Sequence, residues 1–159
     1  MKPQPVRIVD RMATRVAYLR HTGPYGAAVA DFWQWRFQPF LVRQQLLGRV
    51  VYGISHDDPE VTGPEQCRFD ACVEVDATWM PTAGALLAVI PGGRYGSLSF
   101  QGTPEELRPA WRTLLHDWLP ASGYRLDGRP TFERYAPDAF FDADTGTFGC
   151  DLLVPLAPG

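Results

Sequence analysis

Twice in this chain an alternating apolar stretch runs through a glycine into a longer segment whose aromatic residues recur at helical spacing, and this repetition limits the fold more than any other feature. In the first half, Arg15 to His21 alternates with the period of a strand and reaches Gly23-Pro24. Tyr25, Val29, Phe32, Trp33, Phe37 and Phe40 then fall on one helical face. Pro39 is expected to kink or end that helix, because proline lacks an N–H and crowds the carbonyl one turn back. In the second half, Ala85 to Phe100 is extended and broken at Gly92-Gly93, and beyond Gly102 a helix announces itself. Thr103 stands as N-cap, Pro104 as first helical residue and Glu106 as the reciprocal acceptor of a capping box. Leu107, Trp111, Leu114, Leu115 and Trp118 form its apolar stripe, and Pro120 with Gly123 is expected to stop it.

Each helix is followed by two strand-like segments, Arg49 to Ser55 and Arg68 to Asp76 in the first half, Thr131 to Tyr135 and Phe148 to Leu156 in the second. In Arg68 to Asp76, Phe69, Ala71, Val73 and Val75 read as a core face, and Arg68, Asp70, Cys72, Glu74 and Asp76 as a wet one. The expected fold is α+β, a duplicated strand-helix-strand-strand module with antiparallel sheets, two main helices and pseudo-two-fold symmetry. One domain spans 1–159, with module one over about 12–78, module two over about 84–157 and a seam at Trp79 to Gly84. Paired modules of this kind create a groove where a ligand can sit.

Charge excludes one class of function. Lys plus Arg total 15 against 18 for Asp plus Glu, and the basic residues are scattered, so no stripe exists to neutralise successive phosphates and direct nucleic-acid binding is not expected. No apolar stretch reaches signal-peptide or membrane-spanning length, which points to a cytoplasmic protein without a membrane partner. Cys67, Cys72 and Cys150 are odd in number, which fits a reducing compartment, and no second Cys/His pair completes a zinc site. His21, His56 and His116 lie in different elements and spell no triad. Neither metal nor cofactor is expected, and no stable protein partner is evident. Five Trp, six Tyr and nine Phe make 13% of the chain, so either the core or a pocket is aromatic.

Several short strings then align with a known pattern: Leu19-Arg20-His21-Thr22-Gly23-Pro24-Tyr25, Tyr52-Gly53-Ile54 with Asp57-Asp58-Pro59, Cys67-Arg68-Phe69-Asp70-Ala71-Cys72, Pro91-Gly92-Gly93-Arg94-Tyr95, Trp118-Leu119-Pro120 with Ser122-Gly123-Tyr124, Phe132-Glu133-Arg134-Tyr135 and Asp151-Leu152-Leu153-Val154-Pro155-Leu156. In this order and spacing they resemble the GyrI-like family, which includes the effector-binding domains of AraC-type and MerR-type multidrug regulators. Too few residues precede the first matching strand for a helix-turn-helix module, so a stand-alone effector domain is expected. The resemblance implies binding of small aromatic, often cationic compounds. It also implies two alternatives: hydrolysis of cyclopropyl-bearing DNA-alkylating compounds at the same site, and inhibition or protection of DNA gyrase by protein contact.

Glu133 is the first candidate residue, because a carboxylate beside Tyr135 on one strand face sets a charge against an aromatic wall, and the resemblance gives the glutamate of this motif the positive charge of a bound lipophilic cation. A surface residue paired with Arg134 or Arg94 is the plainer reading. Tyr95 follows, since the glycines before it suggest a bulge or the close approach of another group. Trp33, Phe37, Trp111, Trp118, Tyr18, Tyr52 and Trp79 are further ring candidates, either core or pocket. In a hydrolase, Glu133 would be the acid or base and Tyr95 the group that holds the leaving group.

Overall fold

A computed structural model describes residues 5–81 and 84–158. Positions 82 and 83, part of the expected seam, lie outside the described residues. The strands are β1 (Arg7–Arg11), β2 (Thr14–Thr22), β3 (Val51–Ser55), β4 (Arg68–Glu74), β5 (Leu86–Ile90), β6 (Gly93–Gly102), β7 (Phe132–Tyr135) and β8 (Phe148–Pro155). The helices are α1 (Ala27–Phe32), α2 (Gln38–Arg43), α3 (Pro104–Arg112) and α4 (Leu119–Ser122), each pair joined by a π-helical stretch into one helical run. The class is α+β, and every ladder given below is antiparallel.

The chain divides into two compact units, Thr14–Ile90 and Met1–Ala13 with Pro91–Gly159. In the first, the strands lie in the order β3-β4-β2-β5; in the second, β7-β8-β6-β1. The order strand, helix, strand, strand is thus observed twice with matching pairing: β2 and β6 lead into the helices, and β4 and β8 fall between the two flanking strands. Each sheet gains one further strand. β1 precedes β2 by two residues yet pairs with β6, and β5 precedes β6 by two residues yet pairs with β2. β1 was not foreseen, because three of its five residues are charged and no apolar alternation marks it.

Neither Pro39 nor Pro120 ends its helix. Each sits in the first turn of the last segment, directly after the π-helical stretches Trp33–Phe37 and Thr113–Trp118. The wider turn ahead of the proline relieves the clash between its ring and the preceding carbonyls, so the run continues past it. Gly123, left-handed at φ 83°, stops the second run. The start of α3 is as read: Glu106 accepts from the Thr103 N–H at 2.9 Å in a complete capping box. α1 begins two residues later than Tyr25, at a glycine N-cap with no side-chain hydrogen bond.

Each helical run covers one face of its own sheet. Phe32, Phe37, Phe40 and Leu41 pack with Ala17, Phe69, Ala71 and Val73 in one unit; Leu114, Leu119, Trp111 and Trp118 pack with Leu98, Cys150, Leu152 and Val154 in the other. Burying each such phenylalanine or leucine contributes about 1.5–3 kcal/mol. The wet face expected for β4 is a correction: Asp70 and Cys72 are buried like Phe69 and Val73, so this strand is covered on both faces. The Gly92-Gly93 break is a close approach. A Cβ on Gly92 would stand 2.6 Å from the Ala13 nitrogen, and one on Gly93, at φ 133°, 2.2 Å from Arg129 Nη1.

Candidate functional site

β7 places Glu133 opposite Leu152 of β8, with its side chain on the helix-covered face. Alternation brings Tyr135 to that face as well, and turns Phe132 and Arg134 to the other. The Tyr135 hydroxyl donates to Glu133 Oε1 at 2.8 Å, and the Trp111 indole N–H, from α3, donates to Oε2 at 2.9 Å. Around them lie Phe100, Phe148 and Cys150. Phe148 leans on Tyr135 with centroids 6.2 Å apart.

Glu133 is only 9% exposed, and both of its partners are neutral. Arg134 instead pairs with Asp151 at 3.5 Å, and Arg94 with Asp10 at 3.7 Å, so the surface-pair reading fails. Burial pushes the Glu133 carboxyl above the ordinary glutamate value, and the hydrogen bonds from Trp111 and Tyr135 draw it back only in part. Burial, with Glu133 and Cys150 nearby, holds the Tyr135 hydroxyl well above its usual range, and burial beside Glu133 likewise raises the Cys150 thiol. The arrangement is a nearly closed-off carboxyl held by two neutral donors and framed by rings.

The sequence candidates fall into two groups. Glu133, Tyr135, Trp111 and Trp118 share one layer, where Trp118 stacks on Tyr124 at 6.3 Å. Tyr95 belongs to the opposite face: it is fully buried against Phe132, its hydroxyl donates to the Pro91 carbonyl at 2.6 Å, and the Arg129 guanidinium lies 4.7 Å from its ring centre. The pairing of Tyr95 with Glu133 expected of a catalytic site is therefore not formed. The other five rings belong to the unit Thr14–Ile90. Phe37 and Tyr52 are fully buried; Trp33 packs edge-on against Phe37 at 4.9 Å; Trp79 covers the same core; Tyr18 is half-buried with the Arg20 guanidinium 5.8 Å from its ring centre.

Sequence reasoning missed Asp70. Its carboxylate takes Arg20 Nε at 2.8 Å and Nη2 at 3.0 Å, and His56 Nε2 lies 2.7 Å away. Burial raises this carboxyl, but the contacts with His56 and Arg20 outweigh it and hold it below the ordinary aspartate value. The available signal was the register that sets Arg20 directly opposite Asp70.

Among the described residues no helix is long and apolar enough to cross a membrane, and no three His, Cys, Asp or Glu side chains gather as metal ligands. The chain is 31% identical over 159 residues to a DNA gyrase inhibitor of Serratia proteamaculans (strain 568), covering 97% of this chain and 99% of that one. Its fold matches the C-terminal domain of EcmrR with a TM-score of 0.74 at 14% identity, over 98% of this chain and 99% of that one. It also matches SAV2435 bound to tetraphenylphosphonium, with a TM-score of 0.65 at 15% identity, over 96% and 94%. The model of the GyrI-like small molecule binding domain matches residues 4–157, and the chain belongs to that family.

Proposed function

We propose that this small-molecule-binding domain takes aromatic, lipophilic cations, with Glu133 as counter-charge and the rings of Trp111 and Tyr135 as walls. The observation that carries the reading is a buried carboxylate whose two hydrogen-bond donors are both neutral. Neutral donors satisfy lone pairs but leave the charge uncompensated, and an uncompensated buried charge is costly. An organic cation with little hydration of its own supplies that compensation at small desolvation cost, and its rings gain about 0.5–2 kcal/mol per well-placed aromatic face. SAV2435, of the same fold, was solved with such a cation. Because Glu133 is nearly closed off, entry requires Trp111 to move, and Trp111 sits on a weakened turn between Pro109 and the π-helical stretch.

Titration of tetraphenylphosphonium into the wild type and Glu133→Gln tests this. The amide keeps the shape and removes the charge, so affinity should fall by about 1.5–3 kcal/mol, roughly ten- to hundredfold. Wild-type affinity should rise with pH as Glu133 loses its proton, and that slope should vanish in the variant. Equal affinities at several pH values would end the proposal. A hydrolytic reading of the same site has one observation in its favour: burial shifts the carboxyl toward its protonated form, the form that assists opening of a strained ring while water adds. Mass spectrometry separates the two, since a binder returns its ligand unchanged and a hydrolase returns it heavier by one water.

A further inference from the structure

β1 and β5 each have one neighbour in their sheets, β6 and β2, and they are defended differently on the open side. β1 reads Arg-Ile-Val-Asp-Arg, and its charges discourage another strand from adding to it. β5 reads Leu-Leu-Ala-Val-Ile, with neither charge nor proline nor bulge. Four of its five residues are exposed, Leu86 at 53%, Leu87 at 36% and Val89 at 60% among them. Successive side chains point to opposite faces, so aliphatic groups stand in solvent on both sides of the strand. A bare edge of this kind invites strand addition.

We propose that β5 is the surface through which two copies of this chain associate, pairing antiparallel about a two-fold axis at Ala88. The strand's own sequence selects this occupant. About that axis Leu87 faces the partner's Val89, Leu86 faces the partner's Ile90, and Ala88 faces its own counterpart, so every cross-strand pair is aliphatic and no charge is trapped. Addition to β1 of a second copy would instead set Arg7, Asp10 and Arg11 beside aliphatic neighbours, and it would leave a further β5 edge open, giving chains of molecules where the two-fold contact closes. Gly84, left-handed at φ 81°, and Pro91 bound the segment, so the contact is short. A short contact falls well below the roughly 1,600 Å² of a standard interface, and a dissociation constant of order 1–100 µM is expected.

Sedimentation velocity on the full chain from about 1 to 500 µM brackets that range. The wild type should pass from monomer to dimer, and hydrogen exchange at β5 amides should slow with concentration while amides of β1 do not change. Val89→Lys and Leu86→Lys, on opposite faces of the strand, should each weaken the dimer by roughly a hundredfold, since each sets a charge against an aliphatic residue of the partner copy, Leu87 or Ile90. Both positions are exposed, so circular dichroism and cation binding should match the wild type. Ile8→Lys on β1 should leave the dimer intact. A wild type that stays monomeric throughout, or a dimer untouched by both β5 variants, or one broken by Ile8→Lys, would overturn the proposal; β5 amides insensitive to concentration would do so without any variant.

Discussion

Asp70 and Glu133 are both buried carboxylates on strands, one in each unit, and their surroundings differ in one respect: Asp70 has a charged partner, Arg20, and Glu133 has none. Arg20 and His56 hold the first as a fixed anion. Trp111 and Tyr135 orient the second without neutralising it. Burial raises both carboxyls, but the neighbours of Asp70 outweigh it and those of Glu133 do not, so the two end on opposite sides of their ordinary values. A carboxylate with a built-in partner is complete as folded. One held only by neutral donors keeps its charge uncompensated within the fold, and the proposed role of Glu133 rests on that difference.

Removing Asp70 should have the largest effect. Asp70→Ala strands Arg20 and His56, and breaking a fully buried pair costs about 3–5 kcal/mol. The Arg20 side chain is 37% exposed, so water recovers part of that and about 2–3 kcal/mol should be lost in urea denaturation. Glu133→Gln should cost no stability. A variant at Glu133 as destabilised as Asp70→Ala would break the contrast.

The pH dependence separates the two further. Asp70 titrates below its ordinary 3.8, so its contribution is present above that value and is lost as pH falls through the lowered one. Glu133 titrates above its ordinary 4.5, so its contribution is complete below that value and is lost as pH rises through the raised one. Thermal unfolding without ligand should therefore show Glu133→Gln gaining on the wild type as pH rises from about 5 to 8. Saturating tetraphenylphosphonium should reverse that order, and parallel curves would mean that Glu133 does not change charge in this range.

The two helical runs make a smaller test of the same two units. α3 starts at a full capping box, whereas α1 starts at Gly26 with φ 93° and no side-chain cap. Thr103→Ala should lose about 1 kcal/mol. Gly26→Ser should gain nothing, because its backbone conformation disfavours any side chain. A stabilised Gly26→Ser would show that the α1 start is limited by capping alone.

The capping box, the aromatic stripes and the doubled strand order were legible because they depend on neighbours within a few positions. Glu133 was a candidate for another reason, since its place in Phe132-Glu133-Arg134-Tyr135 matches a family motif, while alternation alone allowed a surface pair with Arg134. Asp70 was hidden because its partners lie 50 and 14 residues away, and alternation reports which residues share a face, never what covers that face. The same limit left Tyr95, Phe37 and Tyr52 open as pocket rings, although each is buried. The helices ran past their prolines because widening one turn costs less than giving up the apolar stripe beyond it, which for the first run includes Phe40 and Leu41.

The finest test of the site is Trp111→Phe, which keeps a ring in place and deletes the N–H that reaches Glu133 Oε2. That hydrogen bond favours the charged carboxylate, so its loss leaves burial less opposed and moves the Glu133 carboxyl further up. Leaving a buried acceptor without its donor costs about 1–3 kcal/mol, and folding should change by no more than that. Cation affinity should respond in a more specific way. The pH at which it begins to climb should move upward, because a higher pH is then needed to remove the proton that competes with the cation. Above that range the affinity should approach the wild-type value, apart from the smaller face that phenyl offers to a cation compared with indole. Titrating tetraphenylphosphonium at half-unit pH steps reads the displacement directly. A curve lowered equally at every pH would assign Trp111 to the wall of the site alone, and a curve unchanged in both respects would mean that the carboxylate meets its ligand without the indole.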